Sequence, residues 1–281
     1  MAGLLFSSVH AAQGVTQTDT LALQRIEIMR SEMHNLQALV KSLESTEPVS
    51  AGAYIVMEVE SQKIILENDT TGQHSIASVT KLMNAVVALE NASPKTTVRL
   101  TRGMLKPEGQ SPSLFANLKI SVGDLIKASL TQSVNDAAEA LSYAVGVGRF
   151  VKLMNGKAKA LGMENTAYYD AHGLNPKNIS TAKDLAKLAT YIYRKHPEIL
   201  ATTKNNNFWL PNARGKLLKF KNLNNFYALP DFIGGKTGYL PKAKETMVSL
   251  FDVNGKATVV VVLYSDNAQR DTLKLIELAK T

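Results

Sequence analysis

Residues 232–280 read FIGGKTGYLPKAKETMVSLFDVNGKATVVVVLYSDNAQRDTLKLIELAK, and the fold is decided here. Phe232–Gly238, Thr246–Val253 and Ala257–Ser265 are runs rich in β-branched or apolar residues, the last containing Thr258-Val-Val-Val-Val-Leu263. Such runs predict strands, and links this short favour antiparallel neighbours. Leu273, Leu275, Ile276 and Leu278 then place an amphipathic helix over 267–280. Towards the N-terminus, Ala53–Glu60 and Lys63–Asn68 form a second strand-like pair around Ser61-Gln62, a predicted hairpin. These opening strands must rejoin the closing ones to bury both faces of the sheet. The segment between them is helical. Residues 79–90 (VTKLMNAVVALE) are apolar nearly all round, as in a central buried helix. Ser121-Val-Gly-Asp124 is a capping box for a helix to about Leu130, and Asp136–Val145 forms a second. Thr181-Ala-Lys-Asp184 caps a third, ending at His196-Pro197. The expected class is α+β, with one sheet and helices packed on it.

The chain has 281 residues, 45% hydrophobic and 20% charged, which fits an ordinary globular protein and excludes wholesale disorder. It has no cysteine, so a disulfide scaffold, a thiol nucleophile and a thiolate metal site are excluded. No apolar run reaches the length of a membrane-spanning helix. The net charge of +8 permits an anionic partner. The cations are dispersed, however; the largest local group is Lys216, Lys219 and Lys221, and no RNA-binding aromatic motif accompanies it. Nucleic acid is therefore not an expected partner. No internal repeat or low-complexity segment stands out.

Three units are expected. Residues 1–17 form a leader; they carry an apolar stretch and a small-residue exit at Ala11 and Ala12 but lack a basic leading region. Two readings fit, the tail of an export signal and an unstructured leader. Residues 18–48 hold one helix ending at Thr46-Glu47-Pro48, with Ile26, Met29, Met33, Leu36, Val40 and Leu43 alternating by three and four. That seam suits self-association, and it equally suits packing against the domain. Residues 49–281 form the main domain.

Three short motifs carry the candidate chemistry. Ser78-Val-Thr-Lys81 puts a hydroxyl and an amine on one helical face. Serine becomes a nucleophile when a base takes its proton, and lysine is such a base only when burial or another cation depresses its pKa. Here no acid lies within a turn of Lys81, in a helix that reads as fully buried. S-x-x-K alone is weak: Ser180-Thr-Ala-Lys183 also matches, and helix capping explains that copy. Ser133-Val134-Asn135 lies in the break between two helices, where its polar groups either face a cleft or cap the next helix. Ser265-Asp-Asn267 has the same form but reads as a turn and cap. Gly234-Gly-Lys236-Thr237-Gly238-Tyr239 places glycines inside a strand, where they suit close approach of a ligand or another backbone. A cation and hydroxyl between them suit a carboxylate, although a hairpin with a solvent-facing Lys236 is the plainer reading.

Taken together, in the order S-x-x-K, S-x-N, K-T-G, these motifs are those of penicillin-binding proteins and class A β-lactamases. ASVTKLMNAVVALE, SVNDAAEAL, HGLNPKNISTAKDLAKLA and GGKTGYL resemble the low-molecular-weight penicillin-binding proteins, the serine D-alanyl-D-alanine carboxypeptidases and related D,D-endopeptidases, over roughly residues 50–280. The resemblance implies a β-lactamase/D,D-peptidase-like fold, with a central, mostly antiparallel five-stranded sheet flanked by helices and an all-helical cluster. It implies that Ser78 is acylated, that Lys81 is its base, and that Ser133 relays a proton to the departing D-alanine. Asn135 would bind the substrate amide. Lys236 and Thr237 would bind its carboxylate, with Gly238 beside them, and the N–H groups of Ser78 and Tyr239 would form the oxyanion hole. The implied substrate is a peptidoglycan stem peptide, the implied inhibitors are β-lactams, no cofactor or metal is implied, and the implied location is the periplasm or envelope exterior.

The sequence departs from the family where many members follow K-T-G-Y/F with Thr and then an Ala-Gly pair; Leu240-Pro-Lys-Ala-Lys-Glu245 stands there instead. The β-rich extra domain and C-terminal membrane helix of many carboxypeptidases have no counterpart in it, as in the endopeptidase-like members. A class A β-lactamase is the first alternative, but its E-x-x-L-N segment is not matched by Glu164-Asn-Thr-Ala-Tyr168. A non-catalytic wall-binding protein is the second, against which the three intact motifs speak. A metallo-carboxypeptidase is the third; His10, His34, His74, His172 and His196 have no ligand spacing, and Asp170-Ala-His172 reads as a loop hydrogen bond.

Overall fold

The computed structural model describes residues 17–43, 47–109, 111, 114–211, 215 and 217–281. Residues 1–16 of the expected leader, residues 44–46 of the expected first helix and Lys216 lie outside them, whereas Gln17, placed in the leader from the sequence, opens the first helix.

A long helix, α1 (Gln17–Leu43), precedes the domain. The domain opens with β1 (Ala53–Glu58), β2 (Ile64–Asn68) and the short β3 (His74–Ser75). A 3₁₀ turn over Ala77–Val79 leads into α2 (Thr80–Asn91). The helical block continues through β4 (Thr97–Arg99), β5 (Lys119–Ser121), α3 (Val122–Thr131), α4 (Asn135–Val145) and α5 (Val147–Ala160). It ends with β6 (Ile179–Ser180), α6 (Ala182–Lys195) and α7 (Pro197–Lys204). A hairpin, β7 (Asn207–Pro211) and β8 (Leu217–Lys221), leads to β9 (Phe232–Leu240), β10 (Lys244–Val253), β11 (Lys256–Ser265) and α8 (Ala268–Lys280).

The main sheet has the order β2-β1-β11-β10-β9, antiparallel throughout. The first strands do rejoin the last: Ala53 pairs with Leu263 and Glu58 with Thr258. The continuous apolar run of β11 follows, because alternate side chains enter different cores. Val259, Val261 and Leu263 join the core under the helical block, whereas Val260 and Val262 join Phe226, Phe232, Phe251 and the inner face of α8. In this second core the three phenylalanine rings pack edge-on or tilted, 5.3 to 5.9 Å apart. The domain closes on itself at buried Asp271, which accepts from the Ser50 N–H at 3.0 Å and from the Ser50 and Ser265 hydroxyls, each at 2.7 Å.

The capping boxes form as read: Ser121 accepts from Asp124 N–H at 3.0 Å and Thr181 from Asp184 N–H at 3.1 Å. Pro197, read as a stop, also starts α7, where its missing N–H costs nothing. α1 is joined to the domain by hydrogen bonds, with the amide of buried Asn35 donating to the Tyr227 hydroxyl at 2.8 Å and Asn206 donating to Glu32 at 2.9 Å. Its apolar seam points outward, with Ile26, Met29, Met33, Leu36 and Val40 all exposed. Among the described residues no helix is long and apolar enough to cross a membrane.

Candidate active site

The site lies where the 3₁₀ turn and α2, the α3–α4 break and the edge strand β9 converge. Residues Thr80 to Ala88 of α2 are all buried, so Lys81 is carried into the interior. Its side chain is 0% exposed. Its Nζ lies 2.8 Å from Ser78 Oγ, 2.7 Å from Asn135 Oδ1 and 2.7 Å from the His172 carbonyl oxygen. Burial, with the charge of Lys236 as a second cause, holds its pKa well below the ordinary lysine value; Asp170 acts in the opposite sense.

This geometry has a simple consequence. A neutral amine has two N–H bonds and one lone pair. Asn135 Oδ1 and the His172 carbonyl can only accept, so they take the two N–H bonds. The lone pair is left facing the Ser78 hydroxyl, ready to receive its proton.

Ser78 sits in a strained turn, with Ala77 at φ +44°. Ser133 is also left-handed, at φ +58°. The capping alternative for this motif does not hold: the residue before α4 is Val134, and no side chain caps the helix. Asn135 instead bridges Lys81 and the Glu108 carbonyl, to which its Nδ2 donates at 2.6 Å. Ser133 lines the same cavity of about 330 Å³ as Ser78, Thr237, Gly238 and Tyr239.

On β9, Lys236 is 1% exposed, so a solvent-facing lysine is excluded. Its Nζ donates to the Thr237 carbonyl at 2.7 Å, and burial pushes its pKa down to about 7. Gly238 is required by contact, since a Cβ there would sit 2.9 Å from the Ser78 backbone nitrogen and 3.1 Å from the Ile76 carbonyl. The Tyr239 side chain is exposed at the rim. The other S-x-x-K behaves as a cap, with Lys183 exposed, and Asn267 of the other S-x-N caps α8 by accepting from Arg270 N–H.

Several residues of the site escaped the motif reading. The Asn84 amide ties α2 to the Ala138 and Ala171 carbonyls at 3.0 and 2.9 Å. Asp170, His172 and Asn178 form a polar loop against Lys81 and α2. Asp170-Ala-His172 was legible only as a local hydrogen bond, because nothing in its spacing points to a residue 91 positions away. Glu245, in the divergent Leu240–Glu245 segment, faces Tyr239 across the β9–β10 ladder and lines the cavity. Its Oε2 accepts from Ala268 N–H at the start of α8, at 2.8 Å. Among the described residues no group of three or more His, Asp or Glu could hold a metal ion.

The chain is similar to several known proteins. A family profile described as D-alanyl-D-alanine carboxypeptidase matches residues 40–267. The chain is 34% identical over 223 residues to a D-alanyl-D-alanine endopeptidase of Haemophilus influenzae, covering 77% of this chain and 76% of that protein. It is 33% identical over 251 residues to the D-alanyl-D-alanine carboxypeptidase DacC of Escherichia coli, covering 83% of this chain and 60% of that one. Among solved structures, a D-alanyl-D-alanine carboxypeptidase of Mycobacterium tuberculosis superposes with a TM-score of 0.77 at 25% identity, over 84% of this chain and 94% of that one. Penicillin-binding protein D2 of Listeria monocytogenes, in its cefotaxime-bound form, superposes with a TM-score of 0.73 at 31% identity, over 85% of this chain and all of that one. With its antiparallel sheet, its helical block and the Ser78–Lys81 pair at the start of α2, this chain belongs to the D-alanyl-D-alanine carboxypeptidase family of serine peptidases.

Proposed function

We propose that this chain hydrolyses the D-Ala-D-Ala end, or the D-Ala cross-links, of peptidoglycan stem peptides through an acyl-enzyme on Ser78. The observation that carries the reading is the Lys81 amine, fully buried, 2.8 Å from Ser78 Oγ. Ser78 Oγ attacks the carbonyl carbon of the penultimate D-alanine as its proton passes to Lys81 Nζ. The oxyanion is held by the Ser78 and Tyr239 N–H groups. The C–N bond then breaks, and the leaving amine takes a proton through the Ser133 hydroxyl. Asn135 holds the substrate amide, and Lys236 with Thr237 holds the terminal carboxylate. Water next attacks the ester carbonyl, giving a proton to Lys81; the bond from the acyl carbon to Oγ breaks, and Lys81 returns that proton to Ser78 Oγ. Penicillins enter the same path, and their ring-opened ester stays attached. Such a substrate is exposed outside the cytoplasmic membrane, so the periplasm or envelope exterior is the inferred location.

Incubation with pentapeptide monomers and with cross-linked dimers, followed by mass analysis, tests the reading and separates the two activities. D-alanine release or dimer splitting is expected, and Ser78→Ala and Lys81→Ala abolish it. Retained turnover in either variant overturns the assigned roles. A penicilloyl adduct that clears at once, instead of persisting for minutes, favours the β-lactamase reading. If wall-peptide binding and all cellular effects survive Ser78→Ala, the chain is a binding protein.

We also infer that the α1 seam pairs with α1 of a second copy. Its strict three-and-four spacing matches a helix of the same 3.5-residue period, and its side chains Ile26, Met29, Met33, Leu36 and Val40 are left uncovered by the domain. Sedimentation should show a wild-type dimer and a Met29→Glu/Met33→Glu monomer that acylates at the same rate. A monomeric wild type at tens of micromolar refutes the pairing.

A further inference from the structure

The loop between α5 and β6 makes an unusual number of hydrogen bonds to one carboxylate. Asp170 Oδ1 accepts from the N–H groups of His172 at 3.1 Å and Gly173 at 2.6 Å, and from Asn178 Nδ2 at 2.9 Å. Asp170 Oδ2 accepts from Asn175 N–H at 2.6 Å. A carboxylate with this many donors fixes the loop as a rigid turn. Asn178, fully buried, locks it to α2: its Nδ2 also donates to Thr80 Oγ1 at 3.1 Å, and its Oδ1 accepts from Tyr169 N–H at 2.8 Å.

This turn faces the nucleophile. Its His172 carbonyl takes one of the two N–H bonds of a neutral Lys81, and its Ala171 carbonyl takes the Asn84 amide one helical turn further on. Gly173, at φ +91°, is pressed so closely to the Ala77 carbonyl and the Ser78 nitrogen that a Cβ would overlap the Ala77 oxygen. The loop is thus the rear wall of the Ser78 turn and a side wall of the lysine.

We propose that Asp170 is a positioning residue for the acylation base. Through its hydrogen bonds it fixes the His172 carbonyl that aims the Lys81 lone pair at Ser78, and its carboxylate is the one charge beside Lys81 that opposes the neutral amine. The proposal rests on Lys81 being the base for Ser78. The charged and titratable groups around Lys81 are Lys236 on β9, Asp170 and His172 on the loop, and Glu139 on α4, whose carboxylate lies 3.8 Å from His172 Nε2. Lys236 favours the neutral amine and Asp170 opposes it. Asp170→Asn removes the opposing charge and turns one acceptor into a donor among N–H groups.

The test is the second-order rate of acylation by a fluorescent penicillin across pH, for the wild type, Asp170→Asn and Asp170→Glu. The acid limb should move to lower pH in Asp170→Asn, with a tenfold or greater fall in plateau rate. Asp170→Glu should restore the limb because it restores the charge. An acid limb unmoved in Asp170→Asn overturns the proposal, including the case where rate falls only in step with melting temperature. Failure of the underlying reading looks different: the wild type itself would not be acylated, or Ser78→Ala would be.

Discussion

Gly238→Ala should damage catalysis far more than stability. The added Cβ would meet Thr246 Oγ1 at 2.7 Å, the Ser78 nitrogen at 2.9 Å and the Ile76 carbonyl oxygen at 3.1 Å. Ordinary contact begins near 3.4 Å, so the turn and strand must separate by about half an ångström. The Thr246 hydroxyl, which donates to the Ile76 and Gly238 carbonyls at 3.2 and 3.3 Å, stitches these same elements together and loses that geometry. Ser78 N–H is one of the two proposed oxyanion donors, and the other, Tyr239 N–H, is the next residue along β9. Moving them apart misaligns both. Removing one such donor costs about 10²–10³ in rate, roughly 2.7–4 kcal/mol, so a fall of about 10² in acylation rate is expected. The cost to folding is smaller, since the displacement is local and the β9–β10 ladder can stay paired on either side of it. Penicillin acylation under single-turnover conditions, with thermal unfolding alongside, reads both effects. A rate within threefold of the wild type would refute the claim that β9 and the Ser78 turn share one rigid oxyanion site.

Three further outcomes are expected of the same molecule. The acylation rate should be bell-shaped in pH: it rises as Lys81, held well below its ordinary pKa, loses its proton, and it falls above about pH 7 as Lys236 loses the charge that binds the substrate carboxylate; a rate that climbs without a break to pH 10 contradicts the role of Lys236. Glu245→Gln should lower the kcat/KM for stem peptides with a free side-chain amine several-fold and leave that for the N-acetylated peptide unchanged, because this carboxylate lines the cavity beside Tyr239; equal effects on both peptides would remove Glu245 from substrate selection. Phe232→Ala should destabilise by about 3–5 kcal/mol, since the ring is fully buried against Phe226 and Phe251; denaturant unfolding giving under 1 kcal/mol would mean that this core is not the one holding α8.

The sheet was legible because its signals are local. β-branched runs with short links announce strands, and a run such as 258–263 can be satisfied only by two cores, which is what β11 provides. The capping boxes of α3 and α6 were legible for the same reason: donor and acceptor lie three residues apart. Helix α5, by contrast, carries no motif or capping box that marks its start, although Phe150, Met154 and Ala158 are buried in it. The hairpin β7–β8 draws much of its order from contacts that no window shows, such as the stacked Phe208 and Phe220 rings, 4.7 Å apart. The site divides along the same line. Motif spacing could bring Ser78 to Lys81, three residues apart on one face. It could not say which acceptors would take the N–H bonds of that lysine, and on this the chemistry turns. With two acceptors that cannot donate, Asn135 Oδ1 and the His172 carbonyl, the lone pair has one direction left. Were either replaced by a donor, a neutral Lys81 would lose its aim at Ser78 even with every motif residue in place. Asn135 is held by the Glu108 carbonyl 27 residues before it, and the His172 carbonyl meets Lys81 across 91 residues. The two acceptors are therefore set in place by tertiary structure, which is why the three motifs name the reacting groups while the loops around them fix the direction of proton transfer.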